Sequence, residues 1–201
     1  VAVSVPHGFY AAPITVALSS TVAAARIVYT TDGSSPTAAN GTEYTEPIVI
    51  KQTTPLRAVA LLEGYAPSPV VTQSYIFIET VLRQPADPAG WPATWGVHSL
   101  SRGDAVAGEP VEADYAMDAR ITNDPAYGNM LEEGLLALPT VSLVTDMANL
   151  DIHAMPQARG REFERPVSVE WIDPNGTDDG FQLNAGFRIQ GNAGRLEYMS
   201  K

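Results

Sequence analysis

Several groups of side chains in this chain have the types and spacing that chemistry needs. In Arg159-Gly-Arg-Glu-Phe-Glu-Arg165, Glu162 and Glu164 stand two apart, which on a strand is one face. Paired carboxylates can act as general acid and base, provided the fold spaces them and drives their pKa values apart. The interleaved Arg159, Arg161 and Arg165 favour keeping both ionised, as a solvated ion-pair run or an interdomain clamp. Asp173, Asn175, Asp178 and Asp179 gather oxygen atoms of the kind calcium takes. Yet the twelfth position counted from Asp173 is Asn184, where an EF-hand needs a bidentate Glu. An acidic hairpin loop explains the same residues. Gly191-Asn-Ala-Gly194 could bring backbone amides to a phosphate, but no helix or lysine motif follows it. His7, His98 and His153 are isolated, with no His-x-x-x-His or Glu-x-x-His spacing for a metal. Trp91 and Trp95 lie in Gln84-Pro-Ala-Asp-Pro-Ala-Gly-Trp-Pro-Ala-Thr-Trp-Gly96. That stretch carries too much Pro and Gly for regular structure, so the rings either pin it to a neighbouring domain or form a stacking platform for a ligand. No catalytic and no cofactor-binding residue can be assigned from these patterns.

The elements that would position these groups are mainly strands. Candidate strands Ile14 to Ser19, Ala25 to Thr30, Pro47 to Ile50, Leu56 to Leu62 and Val70 to Ile78 are short and bounded by Gly, Pro, Asp or Ser. That spacing favours a β-sandwich over βαβ units. Tyr29-Thr-Thr-Asp-Gly-Ser-Ser-Pro-Thr37 supplies a tight turn at Asp32-Gly33 and an extended exit at Ser35-Pro36. Asp124-Pro125 predicts a helix start, with Tyr127, Leu131, Leu135 and Leu138 as one apolar stripe and Pro139 as its stop. Thr140 to Thr145 reads as a buried strand. Pro166 to Ile172 alternates, with Val167, Val169 and Trp171 on one face and Ser168 and Glu170 on the other. Phe181 to Ile189 places Phe181, Leu183, Ala185, Phe187 and Ile189 inside and Gln182, Asn184, Gly186 and Arg188 outside. The loop Asp173 to Gly180 joins the two as a hairpin. Asn-Gly-Thr sequons at Asn40 and Asn175 fall in predicted turns, where Asn-Gly is expected on backbone grounds alone.

Composition fits such a chain. Its 201 residues are 45% hydrophobic and 17% charged, with 16 Gly and 16 Pro, a globular and turn-rich profile. Net charge is -11, and residues 1–78 hold three basic and four acidic residues, leaving nine basic and nineteen acidic for the remainder. The second part would therefore repel nucleic acid and anionic membrane surfaces. The absence of cysteine removes disulfides and thiolate chemistry without fixing a compartment. No apolar run approaches the ~20 residues of a membrane span, so membrane insertion is not expected.

Two resemblances add to this. Tyr29 to Thr37, with Tyr44-Thr-Glu-Pro-Ile48, Leu56-Arg-Ala-Val-Ala60 and Glu63-Gly-Tyr-Ala-Pro-Ser68, resembles the chitobiase/β-hexosaminidase C-terminal type of module. The resemblance implies an immunoglobulin-like accessory domain without catalytic residues. Tyr10, Tyr29, Tyr44, Tyr65 and Tyr75 could offer faces to a glycan, or serve as core and corner tyrosines. Further on, Arg159 to Pro174 and Asn184-Ala-Gly-Phe-Arg-Ile-Gln-Gly191 resemble the opening of the spore-coat protein H (CotH) family. Ala113-Asp-Tyr-Ala-Met-Asp118, Asn123-Asp-Pro-Ala-Tyr127 and Leu138 to Asp146 resemble its lead-in. That family consists of secreted, atypical kinase-like proteins. Its nucleotide- and metal-binding residues would lie beyond Lys201, so ATP and a divalent metal belong to a longer parent chain rather than to these residues. Two departures stand out. Gly-Asn-Ala-Gly-Arg195 replaces a Gly-Gly-x-Ser-Arg type of turn, and the segment before Arg159 is shorter than the family's.

The expected architecture is mainly β: an immunoglobulin-like β-sandwich at 1–78, a Pro/Gly/Trp-rich connector with one helix at 79–137, and the first strands of a truncated CotH-like α+β domain at 138–201. The expected role is a non-catalytic structural, adhesive or positioning region of a larger secreted or surface-displayed bacterial protein. Its expected partners are further domains of the same chain, other protein chains or carbohydrate. The alternatives are the start of a CotH-type ATP-dependent kinase, or a carbohydrate-binding attachment of a polysaccharide-degrading enzyme.

Overall fold

The computed structural model describes residues 1–98, 101, 103, 104, 106–154 and 158–188, with side chains at 151–154 left aside. Ile189, the Gly191 to Gly194 turn and Lys201 lie outside the described residues. So does the side chain of His153.

Nine short strands build the first module: β1 (Ala2–Val3), β2 (Gly8–Phe9), β3 (Ile14–Val16), β4 (Leu18–Ser19), β5 (Arg26–Thr30), β6 (Thr42–Glu43), β7 (Ile48–Ile50), β8 (Thr54–Leu61) and β9 (Val71–Ile76). One layer is a sheet in the order β2-β9-β8-β5-β6, antiparallel except for the β2–β9 pair. The pairs β3–β7 and β1–β4 make up the smaller sheets. The expected strand from Ile14 to Ser19 is divided at Ala17, whose N–H donates to Ser4 Oγ while its carbonyl accepts from Ser4 N–H. The chain thereby changes partner from β7 to β1, as sandwich strands do at corners. Strand period places Val16, Leu18, Ile27, Ile50, Leu56, Ala58, Tyr75 and Phe77 in one buried cluster. Each of the buried Val, Leu, Ile and Phe side chains stabilises the module by roughly 1.5–3 kcal/mol through removal from water. Tyr75 is fully buried, and its hydroxyl donates to the Val5 carbonyl at 2.9 Å, so the ring packs without an orphaned polar tip.

Gly33 adopts φ +83°, as the Asp32-Gly33 turn requires. A Cβ there would still meet only ordinary contacts, the nearest being Thr145 O at 3.5 Å. At Gly41, φ is +116° and a Cβ would lie 2.7 Å from Tyr29 O. Gly33→Val is therefore expected to destabilise by about 1 kcal/mol through backbone strain. Gly41→Val should cost clearly more, because a steric clash adds to the strain. Melting temperatures check both, and equal shifts would mean that the close approach at Gly41 is wrongly placed.

After β9, Phe77 is extended and Ile78–Leu82 forms a short helix, α1, where the strand was expected to run to Ile78. Phe77 O accepts from Thr80 N–H at 2.9 Å and from the Thr80 hydroxyl at 2.8 Å, which turns the chain early. The connector is more ordered than its Pro and Gly content suggests. Thr94–Val97 forms β10, paired antiparallel with β11 (Pro110–Glu112). Among its described residues it holds not one helix but α1, α2 (Ala119–Thr122, N-capped by the Asp118 carboxylate) and α3 (Leu131–Leu136). Asp124 does start the turn that leads to α3, its Oδ1 accepting from Ala126 N–H at 2.7 Å. However, the predicted stripe does not form one buried face. Tyr127 and Leu138 are exposed, because helical geometry covers only Leu131–Leu136, and a 3-10 turn at Gly128–Met130 breaks the register.

The second sheet has the order β12-β13-β14, with β12 (Thr140–Val144), β13 (Arg165–Ile172) and β14 (Phe181–Phe187), all antiparallel. Where β12 pairs with β13 the faces are the reverse of the expectation, whereas further along Val167 is buried and Ala185 and Phe187 are half-buried, as expected. Val141–Trp171–Phe181 and Leu143–Val169–Leu183 form apolar rows on one face, and Val141, Leu143, Phe181 and Leu183 are exposed. The rows Ser142–Glu170–Gln182 and Val144–Ser168–Asn184 face the first module: Ser168 and Glu170 are fully buried, Val144 is buried beside them, and Asn184 on the outer strand is exposed. Alternation identifies two faces but not which one meets a neighbour.

Candidate functional site

The inward polar face of the second sheet meets the outer face of the five-stranded sheet. In an isolated sandwich that outer face would be wet. Here Val28, Thr30, Arg57, Val59, Thr72 and Ser74, which alternate with the core residues, are all buried. Two carboxylates hold this junction together.

The first is Glu170, in the middle of β13. Its Oε1 accepts from Ser74 N–H at 2.9 Å and lies 2.9 Å from His7 Nδ1, and its Oε2 accepts from the Ser74 hydroxyl at 2.5 Å. Ser74 Oγ also lies 2.7 Å from Ser142 Oγ, so three strands meet around one carboxylate. His7 is also held at its backbone, whose amide N–H donates to Gln73 Oε1. Burial pushes the nearby Tyr75 phenol up, and the Tyr10 and Glu170 charges add to this. A carboxylate with no contact with water is tolerable only because hydrogen bonds replace its hydration. The Ser74 hydroxyl donates to Glu170 and not to His7. The carboxylate is closed to solvent and Ser74 is buried with it, so the set ties strands together with no room for a substrate at the hydroxyl.

The second is Asp146, just after β12. It accepts from Ser35 N–H at 2.6 Å and from Ser35 Oγ at 2.5 Å. Arg57 lies behind, donating to Gly33 O at 2.8 Å and to Ser35 Oγ at 3.1 Å, with Nη1 3.8 Å from Asp146. Burial lowers the Arg57 pKa, opposed by the charges of Asp146 and then Asp32. Asn184 Nδ2 donates to Val70 O at 3.0 Å and closes the far side. Of these junction residues only His7 stood out in the sequence, weighed as an isolated metal-ligand candidate, and here it faces the Glu170 carboxylate instead. The available signal was the polar half of an alternating strand, Ser168 and Glu170, which is also what a solvent face looks like.

The residues that were singled out are not brought together into one site. Arg161–Phe163 is a 3-10 turn, so Glu162 and Glu164 do not share a strand face. Asp173 serves its own loop: Oδ1 accepts from Asn175 N–H at 3.0 Å, and Oδ2 from Thr177 N–H at 2.7 Å, the Thr177 hydroxyl at 2.5 Å and Asp178 N–H at 3.0 Å. The Thr177 hydroxyl above all, then the backbone amides, hold its pKa down to about 2. Asp178 in turn accepts from Gly180 N–H at 3.0 Å, while Asn175 and Asp179 are exposed in the same loop. Among the described residues no three His, Asp or Glu side chains converge as metal ligands. Asn40 of the first sequon donates to Ser34 Oγ and Ser35 O, bracing the turn beside the junction.

Trp91 and Trp95 do come together, edge-on to Tyr115 with centroid distances of 5.3 and 6.1 Å. The Tyr115 hydroxyl donates to Pro92 O at 2.9 Å, and Gln84 Nε2 donates to Tyr115 O at 2.8 Å. The connector thus builds a small aromatic cluster of its own. Trp91 is 51% exposed, so its ring is not buried against another domain.

Because Asp173 is held low in the fold, the loop's hydrogen bonds should be complete above the unfolded value of about 4 and lost as pH falls towards about 2. Protection of the Asn175, Thr177 and Asp178 amides, taken relative to their intrinsic exchange rates at each pH, should fall over that window. Asp173→Asn should remove the pH dependence, and unaltered exchange in the variant would show that the loop stands without the carboxylate.

The architecture defines a mainly β chain whose first module is an immunoglobulin-like sandwich, docked by its outer face on a second sheet. Residues 5–72 match the family model of the chitobiase/beta-hexosaminidase C-terminal domain, which coincides with that sandwich. No curated protein and no solved structure matches the chain. Among the described residues no helix is long and apolar enough to cross a membrane.

Proposed function

We propose that the chain is a non-catalytic positioning region of a larger secreted or surface-displayed bacterial protein. In this reading the accessory module is fixed at a set angle to whatever is built on the second sheet. One observation carries it: the module is joined to the second sheet by two carboxylates, the fully buried Glu170 at Ser74 and His7 and the half-buried Asp146 at Ser35, where a spacer would have a solvated hinge. Rigid docking of this kind sets orientation. The apolar rows at Val141, Leu143, Phe181 and Leu183 give the second sheet an outward face on which further protein can pack.

The CotH resemblance supports the extracellular setting, and within it ATP and a divalent metal would be bound by residues of a longer chain. The test is calorimetric. Residues 1–188 should unfold in one cooperative transition, with module and second sheet melting together. Two separate transitions would refute fixed positioning. On the same sample, titration with ATP and magnesium should show no saturable site, and a micromolar site would favour the kinase reading instead.

A further inference from the structure

Asn-Gly occurs twice in the chain, at Asn40-Gly41 between β5 and β6 and at Asn175-Gly176 between β13 and β14. Where glycine follows asparagine, no Cβ shields the glycine nitrogen from the asparagine Cγ, and the two atoms can close a ring. Whether they do depends on what holds the side chain and the backbone. Asn40 is held on every side. Its Nδ2 donates to Ser34 Oγ at 3.0 Å and to Ser35 O at 2.9 Å, its N–H donates to Thr37 Oγ1 at 2.9 Å, and its carbonyl accepts from Thr37 N–H at 2.8 Å. Gly41 packs so closely on β5 that a Cβ would lie 2.7 Å from Tyr29 O. Turning Cγ of Asn40 towards the Gly41 nitrogen therefore breaks both side-chain bonds and moves a backbone that has no room. Asn175 is placed differently. Its N–H donates to Asp173 Oδ1, while its exposed side-chain amide has no hydrogen-bond partner among the described residues. Gly176 has nothing within 4 Å of the position a Cβ would take, and its N–H reaches Asp173 O only at 3.3 Å.

We propose that Asn175 is a self-modification site, deamidated by its own backbone, and that the fold protects Asn40 from the same reaction. The Gly176 nitrogen gives up its proton to hydroxide and bonds to Cγ of Asn175. The Cγ–Nδ2 bond then breaks, Nδ2 takes up a proton from water, and ammonia leaves behind a succinimide ring. Water opens that ring at either carbonyl, giving aspartate or a β-linked isoaspartate, with no oxidant, reductant or cofactor. Both products add a negative charge beside Asp173, Asp178 and Asp179. The β-linked product also lengthens the backbone by one methylene within the span that Asp173 closes through the Asn175, Thr177 and Asp178 amides. That hub cannot keep its geometry over a longer chain, so modification loosens the hairpin loop. The positioning role does not depend on this site, since the loop's Asn175 and Gly176 share no bond with the Glu170 and Asp146 contacts.

The experiment is timed incubation of the 201-residue chain in mildly alkaline buffer, followed by peptide mapping with mass spectrometry that separates asparagine, aspartate and isoaspartate. In the folded protein conversion should be roughly tenfold or more faster at Asn175 than at Asn40, and the Asn175 rate should rise with hydroxide concentration. In urea, where both pairs are released, the two rates should come within about twofold of each other, which shows that the fold and not the dipeptide makes the difference. Deamidated protein should lose amide protection at Thr177 and Asp178 and keep it at Ser35 and Ser74. Equal rates at the two sites in the folded chain, a faster rate at Asn40, or an Asn175 that stays intact while the urea-unfolded chain converts would each overturn the proposal. So would a rate at Asn175 that does not depend on pH.

Discussion

Replacing Glu170 by alanine should destabilise the protein by about 3–5 kcal/mol, the range for removing one partner from a buried, hydrogen-bonded charged set. The carboxylate accepts the Ser74 amide and hydroxyl and faces His7 Nδ1. Without it those groups stay buried and lose their acceptor, and each orphaned donor costs about 1–3 kcal/mol. Glu170→Gln should lose less, because its amide oxygen still accepts one of the two Ser74 bonds. Chemical denaturation checks the order, alanine below glutamine below the native chain. The alanine variant should also separate the melting of module and second sheet, since the bond set lost is the one joining them. Loss of under 1 kcal/mol in the alanine variant would mean that the carboxylate is hydrated and the junction open.

The next largest effect is expected at Arg57, which is 6% exposed. Its guanidinium donates to Gly33 O and Ser35 Oγ and stands 3.8 Å from Asp146. Arg57→Ala should cost about 3 kcal/mol, combining a cavity, an unpaired Asp146 and a lost brace on the Asp32-Gly33 turn. Arg57→Met should cost much less. It refills the volume and avoids burying a cation whose Nε has no hydrogen-bond partner. A double-mutant cycle with Asp146→Asn isolates the charge pair: the second substitution should cost less in the Arg57→Ala background than in the native one. Strict additivity would show that Asp146 acts through Ser35 alone.

Much of the first module was legible in the sequence. Short apolar-rich runs between Gly, Pro and Asp mark the strands because strand period and turn chemistry are local properties. Gly33 had to take positive φ for the same reason. Asp124 opening a turn and Asp173-to-Gly180 forming a hairpin loop are likewise local, since each aspartate serves amides a few residues away.

What the tertiary structure decided is which face meets which. Glu170 and Ser168 alternate with Val169 and Trp171, a pattern that fits either orientation of the sheet. The choice depends on the surface opposite, and that surface includes a serine amide and hydroxyl and a histidine that a carboxylate satisfies. Ser35 and Asp146 are 111 residues apart, and Glu170 and His7 are 163 apart. No spacing rule spans such separations, because it is chain topology that brings them together. The same holds for Trp91 and Trp95. Their need for a partner was readable from their types, but the partner, Tyr115, was fixed only when β10 paired with β11 and brought the ring between them.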